Sequence, residues 1–308
     1  LGIVSSSTTD FLKSSLIITA LRYGIKLEIY ISDYNQVSQL AFNNKNFFKD
    51  LNLDFIFLYI DTKSLENFVN FNNLKNPKKN VTNFINFLNS VVLNLNKKTN
   101  AEIILSNFSQ ISNSIFGSFE KKLPTSKSWF INNVNQKLNQ IEYNFLHILD
   151  IDILSSTIGL ENWYNDKLWF IAKIPFDINY VPIFSEYILR ILGNKLGKSK
   201  RCLICDLDNT LWGGVIGDDG LDGIRIGNGA PVSEAHLNLQ KIILEIRNRG
   251  VALAICSKNS EKNALLPFEK HPEMILKEKH FAMIQANWTD KASNIRHISK
   301  SLSLGLES

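Results

Sequence analysis

The chain is short of the residues that cross-link, break or anchor a fold. Three cysteines among 308 residues, an odd number, exclude a disulfide framework and fit a reducing, cytoplasmic setting. Cys202 and Cys205 have C-x-x-C spacing, but they sit inside an apolar strand pattern and not at a helix start, which argues against a redox motif. Seven prolines and fifteen glycines are too few for a collagen-like or low-complexity chain. No stretch approaches the roughly 18 uncharged apolar residues of a membrane span, and no secretory leader is visible. Like charges do not cluster either: the net charge of +5 is dispersed, which excludes a basic arm for nucleic acid. What is present is ordinary for a globular protein, with 44% hydrophobic and 20% charged residues and length enough for two domains with buried cores.

Short apolar runs at 2–4, 27–31, 55–59, 102–105 and 145–149 read as strands. Helical patterns lie between several of them. One is capped by Asp10 and ends at Gly24, one is capped by Thr82 with Phe84, Leu88, Val91 and Leu95 on a face, and one covers 128–142. Residues 67–80, rich in Asn and Lys, read as a surface loop. The short basic stretch 193–200 marks a domain boundary, giving domains 1–195 and 196–308. Beyond it, strands at 201–207, 251–256 and 281–285 alternate with helices at 233–249, from Asn259 or Ser260, and at 290–302, the last ending with Gly305 as its C-terminal cap. Strands alternating with helices predict an α/β fold: two three-layer α/β/α domains with mostly parallel sheets.

The chemistry concentrates in the second domain. Asp206 and Asp208 stand at the end of an apolar strand, and residues i and i+2 of a strand share a side. Both carboxylates are therefore expected in a crevice at the strand's carboxyl end, where open α/β sheets bind ligands. Two close carboxylates call for a hard divalent cation, and Mg²⁺ suits oxygen ligands best. A carboxylate so placed can attack a phosphoryl group while the second serves as acid and base. Read alone, the pair is as compatible with a surface turn. Ser257 ends the next strand, and with the amides of Lys258 and Asn259 it can cradle a phosphate, although a helix-capping role also explains it. Lys291 opens the following helix and can neutralise nucleophile and phosphoryl group, or simply be a solvated lysine.

Asp206 to Thr210, Ser257 and Lys291 fall in the order of the first three motifs of the haloacid dehalogenase (HAD) superfamily. The fuller segments at 206–220 (DLDNTLWGGVIGDDG), 254–259 (AICSKN), 267–274 (PFEKHPEM) and 286–291 (ANWTDK) resemble its FkbH-like subfamily, within subfamily IIIC. Segments 147–152 and 169–176 resemble that family's N-terminal domain, itself similar to SGNH hydrolases and flavodoxin-like in fold. The resemblance implies an incomplete Rossmann-like HAD domain with Asp206 as nucleophile and Mg²⁺ ligand. Asp208 becomes the acid/base, also binding metal through its backbone carbonyl, while Thr210, Ser257, Lys258, Asn259 and Lys291 hold phosphate. Residues 212–222 become a small hairpin flap. It also implies a fourth motif, an acidic pair after a further strand. The chain begins at Leu1 inside an apolar run and ends at 304–308 where that strand is expected, so both ends read as cut, with an unpaired sheet edge, weak Mg²⁺ binding and low activity expected.

The reaction implied is transfer of a glyceryl unit from 1,3-bisphosphoglycerate to an acyl carrier protein with release of phosphate. Other relatives act in surface-polysaccharide or modified-sugar pathways. Cys205 and Cys256 are candidates for an acyl intermediate, but each neighbours a catalytic position on a strand and is expected to point away from the crevice. In the first domain, Ser6 within the run 5–10 and Asn107 after a strand are candidates for an SGNH-type nucleophile and oxyanion donor. No D-x-x-H partner accompanies them, and His147 lies on a strand. Two further readings stay open: a binding module for a carrier protein or acyl group with a vestigial phosphate pocket, and an SGNH-type esterase or acyltransferase. A phosphorylated small molecule is the expected substrate; neither nucleic acid nor membrane is an expected partner.

Overall fold

A sheet covered on both faces needs apolar side chains on both, and alternation along each strand supplies them here. In the computed structural model of the protein, which describes residues 1–43, 48, 51–71 and 76–308, the chain divides into two compact units, Leu1–Leu196 and Gly197–Ser308. Each is an α/β arrangement on a parallel sheet.

In the first unit, β1 (Gly2–Ser5), β2 (Tyr30–Ile31), β3 (Phe55–Tyr59), β4 (Glu102–Ser106) and β5 (Leu146–Leu149) lie in the order β2-β1-β3-β4-β5. All neighbours are parallel. The helices are α1 (Lys13–Arg22), α2 (Val37–Phe42), α3 (Pro77–Thr99), α4 (Lys127–Leu138), α5 (Ile151–Ile158), α6 (Leu160–Trp163), α7 (Asp166–Ala172) and α8 (Val181–Lys195). Val4, Ile56, Leu58, Ile103 and Leu105 pack on one side with residues of α2, α3 and α4. The alternate residues Ile3, Phe57, Tyr59 and Ile104 pack on the other with α1, α5 and α8. Trp163 is fully buried there, stacked on Phe176 with ring centroids 4.6 Å apart.

Several local expectations are corrected. β2 is two residues long, not five, because only Tyr30 and Ile31 find a register against Gly2 and Ile3. α3 starts at Pro77, not after Thr82. Proline at the first helical position lacks only an N–H that would have no partner there, and its fixed φ suits the turn. The expected loop 67–80 is thus shortened from both sides, since Thr62–Asn67 forms a 3-10 turn capped by Asp61; residues 72–75 of it lie outside the described residues. Thr9, not Asp10, stands before the 3-10 turn Asp10–Leu12 that leads into α1. α4 is capped by the Ser126 hydroxyl, which accepts from the Trp129 amide.

In the second unit, β6 (Cys202–Cys205), β7 (Ala252–Ser257) and β8 (Met283–Ala286) form a parallel sheet in the order β6-β7-β8. Its helices are α9 (Ile216–Gly223), α10 (Pro231–Asn248), α11 (Glu261–Lys270) and α12 (Lys291–Ser301). Cys205, Leu253 and Ile255 pack with Leu237, Ile243 and Phe268, while Ala254 and Cys256 pack with Ile298 of α12 on the opposite face. Cys202 and Cys205 are three residues apart on one strand and so face opposite clusters. All three cysteines are free.

The expected hairpin flap at 212–222 is instead helical. An antiparallel bridge between Gly213 and Arg225 closes the excursion, and α9 fills it, kinked at Gly220 and anchored by buried Ile216. Gly214, at φ +95, makes the turn; a Cβ there would meet the Asp219 carboxylate at 2.6 Å. α12 ends with Ser303, not Gly305, in the left-handed region at φ 53. No helix among the described residues is long and apolar enough to cross a membrane.

Candidate active site

Parallel strands end together, so residues far apart in sequence meet at the carboxyl edge of the sheet. Asp206 follows β6, Ser257 ends β7, and Lys291 opens α12 after β8. The Lys291 ammonium forms an ion pair with Asp206 Oδ2. Asp206 Oδ1 accepts from the Leu207 amide at 2.9 Å. Burial alone would raise the Asp206 carboxyl, but the Lys291 ammonium, the Leu207 amide and the Ser257 hydroxyl outweigh it and hold it below its ordinary value. Asp206 is therefore a carboxylate at neutral pH, the form a nucleophile needs.

Asp208 is fixed differently. Its Oδ1 accepts from the Trp212 indole N–H at 3.1 Å and from the Ile216 amide at 3.0 Å. Its Oδ2 accepts from the Asn259 amide group at 2.8 Å. Asn259 also donates to Ser257 Oγ at 3.3 Å, tying the β7 tip to the β6 tip. Ser257 and Asn259 are both buried. The structure thus brings Asp206, Asp208, Ser257, Asn259 and Lys291 together. It does not draw in Lys258, which is exposed. The main chain of Thr210 is held by Leu207 O and by His236 Nδ1, contacts that leave its hydroxyl outside the cluster's hydrogen bonds.

The sequence reading placed Trp212 and Ile216 only within the flap at 212–222, without their bonds to Asp208, and did not single out His236. Trp212 follows Asp208 by four residues just before Gly213 and Gly214, a spacing that signals a tight return of the chain, but nothing in it shows which atom the indole meets. Cys205 and Cys256 are buried, and burial pushes both thiols up, Cys205 to about 11.

The first-unit candidates are placed apart from solvent and from each other's chemistry. The Ser6 hydroxyl is wholly buried; it donates to Asp61 Oδ2 at 2.8 Å and accepts from the Asp61 amide at 3.1 Å. Asn107 Oδ1 accepts from the amides of Ile151 and Asp152, and its amide group donates to Asp150 Oδ1 at 2.8 Å. Asn107 thus caps the start of α5, and Ser6 is bound to a buried carboxyl in place of a histidine. His147 pairs with Glu102 Oε2 at 2.6 Å on the sheet.

Among the described residues no group of three or more His, Cys, Asp or Glu side chains forms a metal site. Asp206 and Asp208 nevertheless offer the oxygen donors Mg²⁺ accepts, and Mg²⁺ needs only one or two carboxylates when waters complete its shell.

These features define a two-unit α/β protein with a lysine-paired aspartate at its strand tips. The chain belongs to the FkbH N-terminal domain family, whose model matches residues 1–193, that is, the unit that does not hold the aspartate pair. Among solved structures, the chain is similar to the N-terminal part of the protein BF1531 from Bacteroides fragilis, described as containing a phosphatase domain complexed with Mg. The likeness has a TM-score of 0.90 at 28% identity, over 99% of this chain and 80% of that one. An acetyl xylan esterase, AlAXEase, matches at a TM-score of 0.39 and 11% identity, over 62% of this chain and all of that one. No curated protein matches.

Proposed function

We propose that the second unit is a Mg²⁺-dependent phosphatase of the HAD type, with Asp206 as its nucleophile and a phosphorylated small molecule as its substrate. The observation that carries this reading is the convergence of Lys291 and Ser257 on Asp206 at one sheet edge. The likeness to a phosphatase-containing protein crystallised with Mg supports it. Asp206 and the Asp208 backbone would hold Mg²⁺, which when bound offsets the charge of the phosphoryl oxygens.

The residues of the chain then divide the work. An Asp206 oxygen attacks phosphorus, the bond from phosphorus to the leaving oxygen breaks, and Asp208 delivers a proton to that oxygen. A water that gives its proton to Asp208 then attacks the aspartyl phosphate, releasing inorganic phosphate and restoring Asp206. Lys291 and Ser257 hold phosphoryl oxygens throughout. Asp208 can carry a proton without losing any of its three donors, because Oδ2 accepts from only one of them and keeps a lone pair free. Oδ1 accepts from the other two.

In the finer form of the proposal, the substrate is an acyl phosphate of glycerate: a thiolate attacks its acyl carbon, the C–S bond forms as the bond from that carbon to the phosphate oxygen breaks, and phosphate departs, while Asp206 acts on a phosphate ester of the same glycerate. Buried Cys205 and Cys256, with thiols pushed up, are poor acceptors, which favours the thiol of an acyl carrier protein. The test is phosphate release from p-nitrophenyl phosphate and from an acyl phosphate with Mg²⁺. Asp206→Asn is expected to abolish it; unchanged release would overturn the assignment.

A further inference from the structure

The first unit contains a cavity of about 670 Å³ that none of the second-unit residues lines. Residues just beyond β3 (Thr62, Lys63) and beyond β4 (Ile111 to Asn113) contribute to it, which is where parallel α/β sheets take ligands, and its size suits a small organic molecule. Phe71, Phe116, Tyr164, Trp169 and Phe170 supply aromatic walls. Ile115 and Phe170 at its edge are 85% and 73% exposed, apolar surface that an occupant would cover.

Two lysines line the same space. Lys63 Nζ lies 5.0 Å from the Tyr164 ring centre and 5.6 Å from that of Trp169, and pairs with Asp166 at 2.6 Å. The lysine side chain is 18% exposed and the aspartate 64%. Lys127 sits over Phe71 and pairs with Glu66, which is again the more exposed partner. In both pairs the cation is seated on a ring and the acid projects into water. An exposed ion pair contributes little net stability, so the acid is the replaceable member. The third acid, Glu120, is turned to the amides of Ile115 and Phe116. A cationic ligand would add positive charge beside two ammonium groups whose acids are already engaged.

We propose that this cavity binds an amphipathic monocarboxylate, its apolar acyl or aryl body against the aromatic walls and its carboxylate on Lys63 in place of Asp166. The proposal is independent of the phosphatase reading. The test is titration of the whole chain with octanoate, 1-octanol and octylamine, followed by tryptophan fluorescence and calorimetry. Octanoate is expected to bind at least about tenfold tighter than octanol, the scale of one charge-assisted hydrogen bond, and octylamine weakest. Lys63→Met should erase the advantage of octanoate over octanol. Asp166→Asn should tighten octanoate severalfold and leave octanol unchanged, a gain that misfolding cannot mimic. Equal binding of octanoate and octanol, no binding of any of the three, or an Asp166→Asn variant that binds octanoate no better would overturn the proposal. Asp206→Asn should leave octanoate binding unchanged, so the two readings fail separately.

Discussion

Each unit places an aspartate just past a central or edge strand, and the two aspartates meet opposite fates. Asp61, two residues beyond β3, is buried among Ser6 and Ser64 and has no ion pair among the described residues; burial raises its carboxyl, and the serine hydroxyls and backbone amides only partly offset this. Asp206, next after β6, is partly open and faces Lys291, and its carboxyl is lowered. The first aspartate caps the turn Thr62–Asn67; the second has the charge state and the opening of a nucleophile. A strand tip therefore does not make a site. What decides is whether the adjoining tips bring a cation and a crevice or hydroxyls and a lid of packed chain.

The sharpest test of that contrast is the paired change Asp206→Asn and Asp61→Asn. Loss of the proposed nucleophile is expected to cost about a thousandfold or more in phosphate release, whereas Asp61→Asn should leave it within about twofold; equal losses would erase the distinction. Next in size, Trp163→Ala should destabilise the first unit by about 3–5 kcal/mol through the cavity it opens beside Phe176 and Phe184, read by urea denaturation, while the second unit's reaction at moderate temperature persists. Lys291→Met removes the group that most lowers the Asp206 carboxyl, so the acid limb of the pH–rate profile should move upward, with a drop of about tenfold or more in the plateau rate.

The two carboxyls also predict opposite slopes of stability with pH. Asp206, lowered in the folded chain, contributes stability that is present above its unfolded value and lost as pH falls through its folded value. Asp61, raised, contributes stability that is present below its unfolded value and lost as pH rises through its folded value. Asp61→Asn should therefore gain on the parent protein as pH is raised from acid to neutral in denaturation titrations; a flat difference would mean Asp61 is not buried as described. The smallest effect is expected at Lys258, exposed and outside the cluster, where Lys258→Ala should change phosphate release less than about threefold.

Much of this was legible beforehand. The α/β class followed from strands alternating with helices, and the strand cores at 55–59 and 102–105 stand where the apolar runs put them, because a strand buried on both faces must be apolar throughout. Asp206, Ser257 and Lys291 could be listed as candidates because each ends or follows an apolar run. Less legible was everything set by cross-chain contact. The hairpin expected at 212–222 became α9 because the Ile216 amide turns to Asp208 and its side chain to the core. The start of α3 moved to Pro77 because a proline that breaks a helix interior suits a helix start. Ser6 and Asn107 could be listed by residue type, but their bonds to Asp61 and to the first turn of α5 join segments distant in sequence.

Local pattern alone thus settled the alternation of buried strands and helices, the two parallel sheets it builds, and the residue types available at each strand tip, because side-chain period and apolar burial act over a few residues. Which tips share a crevice was decided only in three dimensions. Lys291 reaches Asp206 across 85 positions and Asn259 reaches Asp208 across 51, and a carboxyl's charge depends on neighbours that the chain brings close in space and not in sequence.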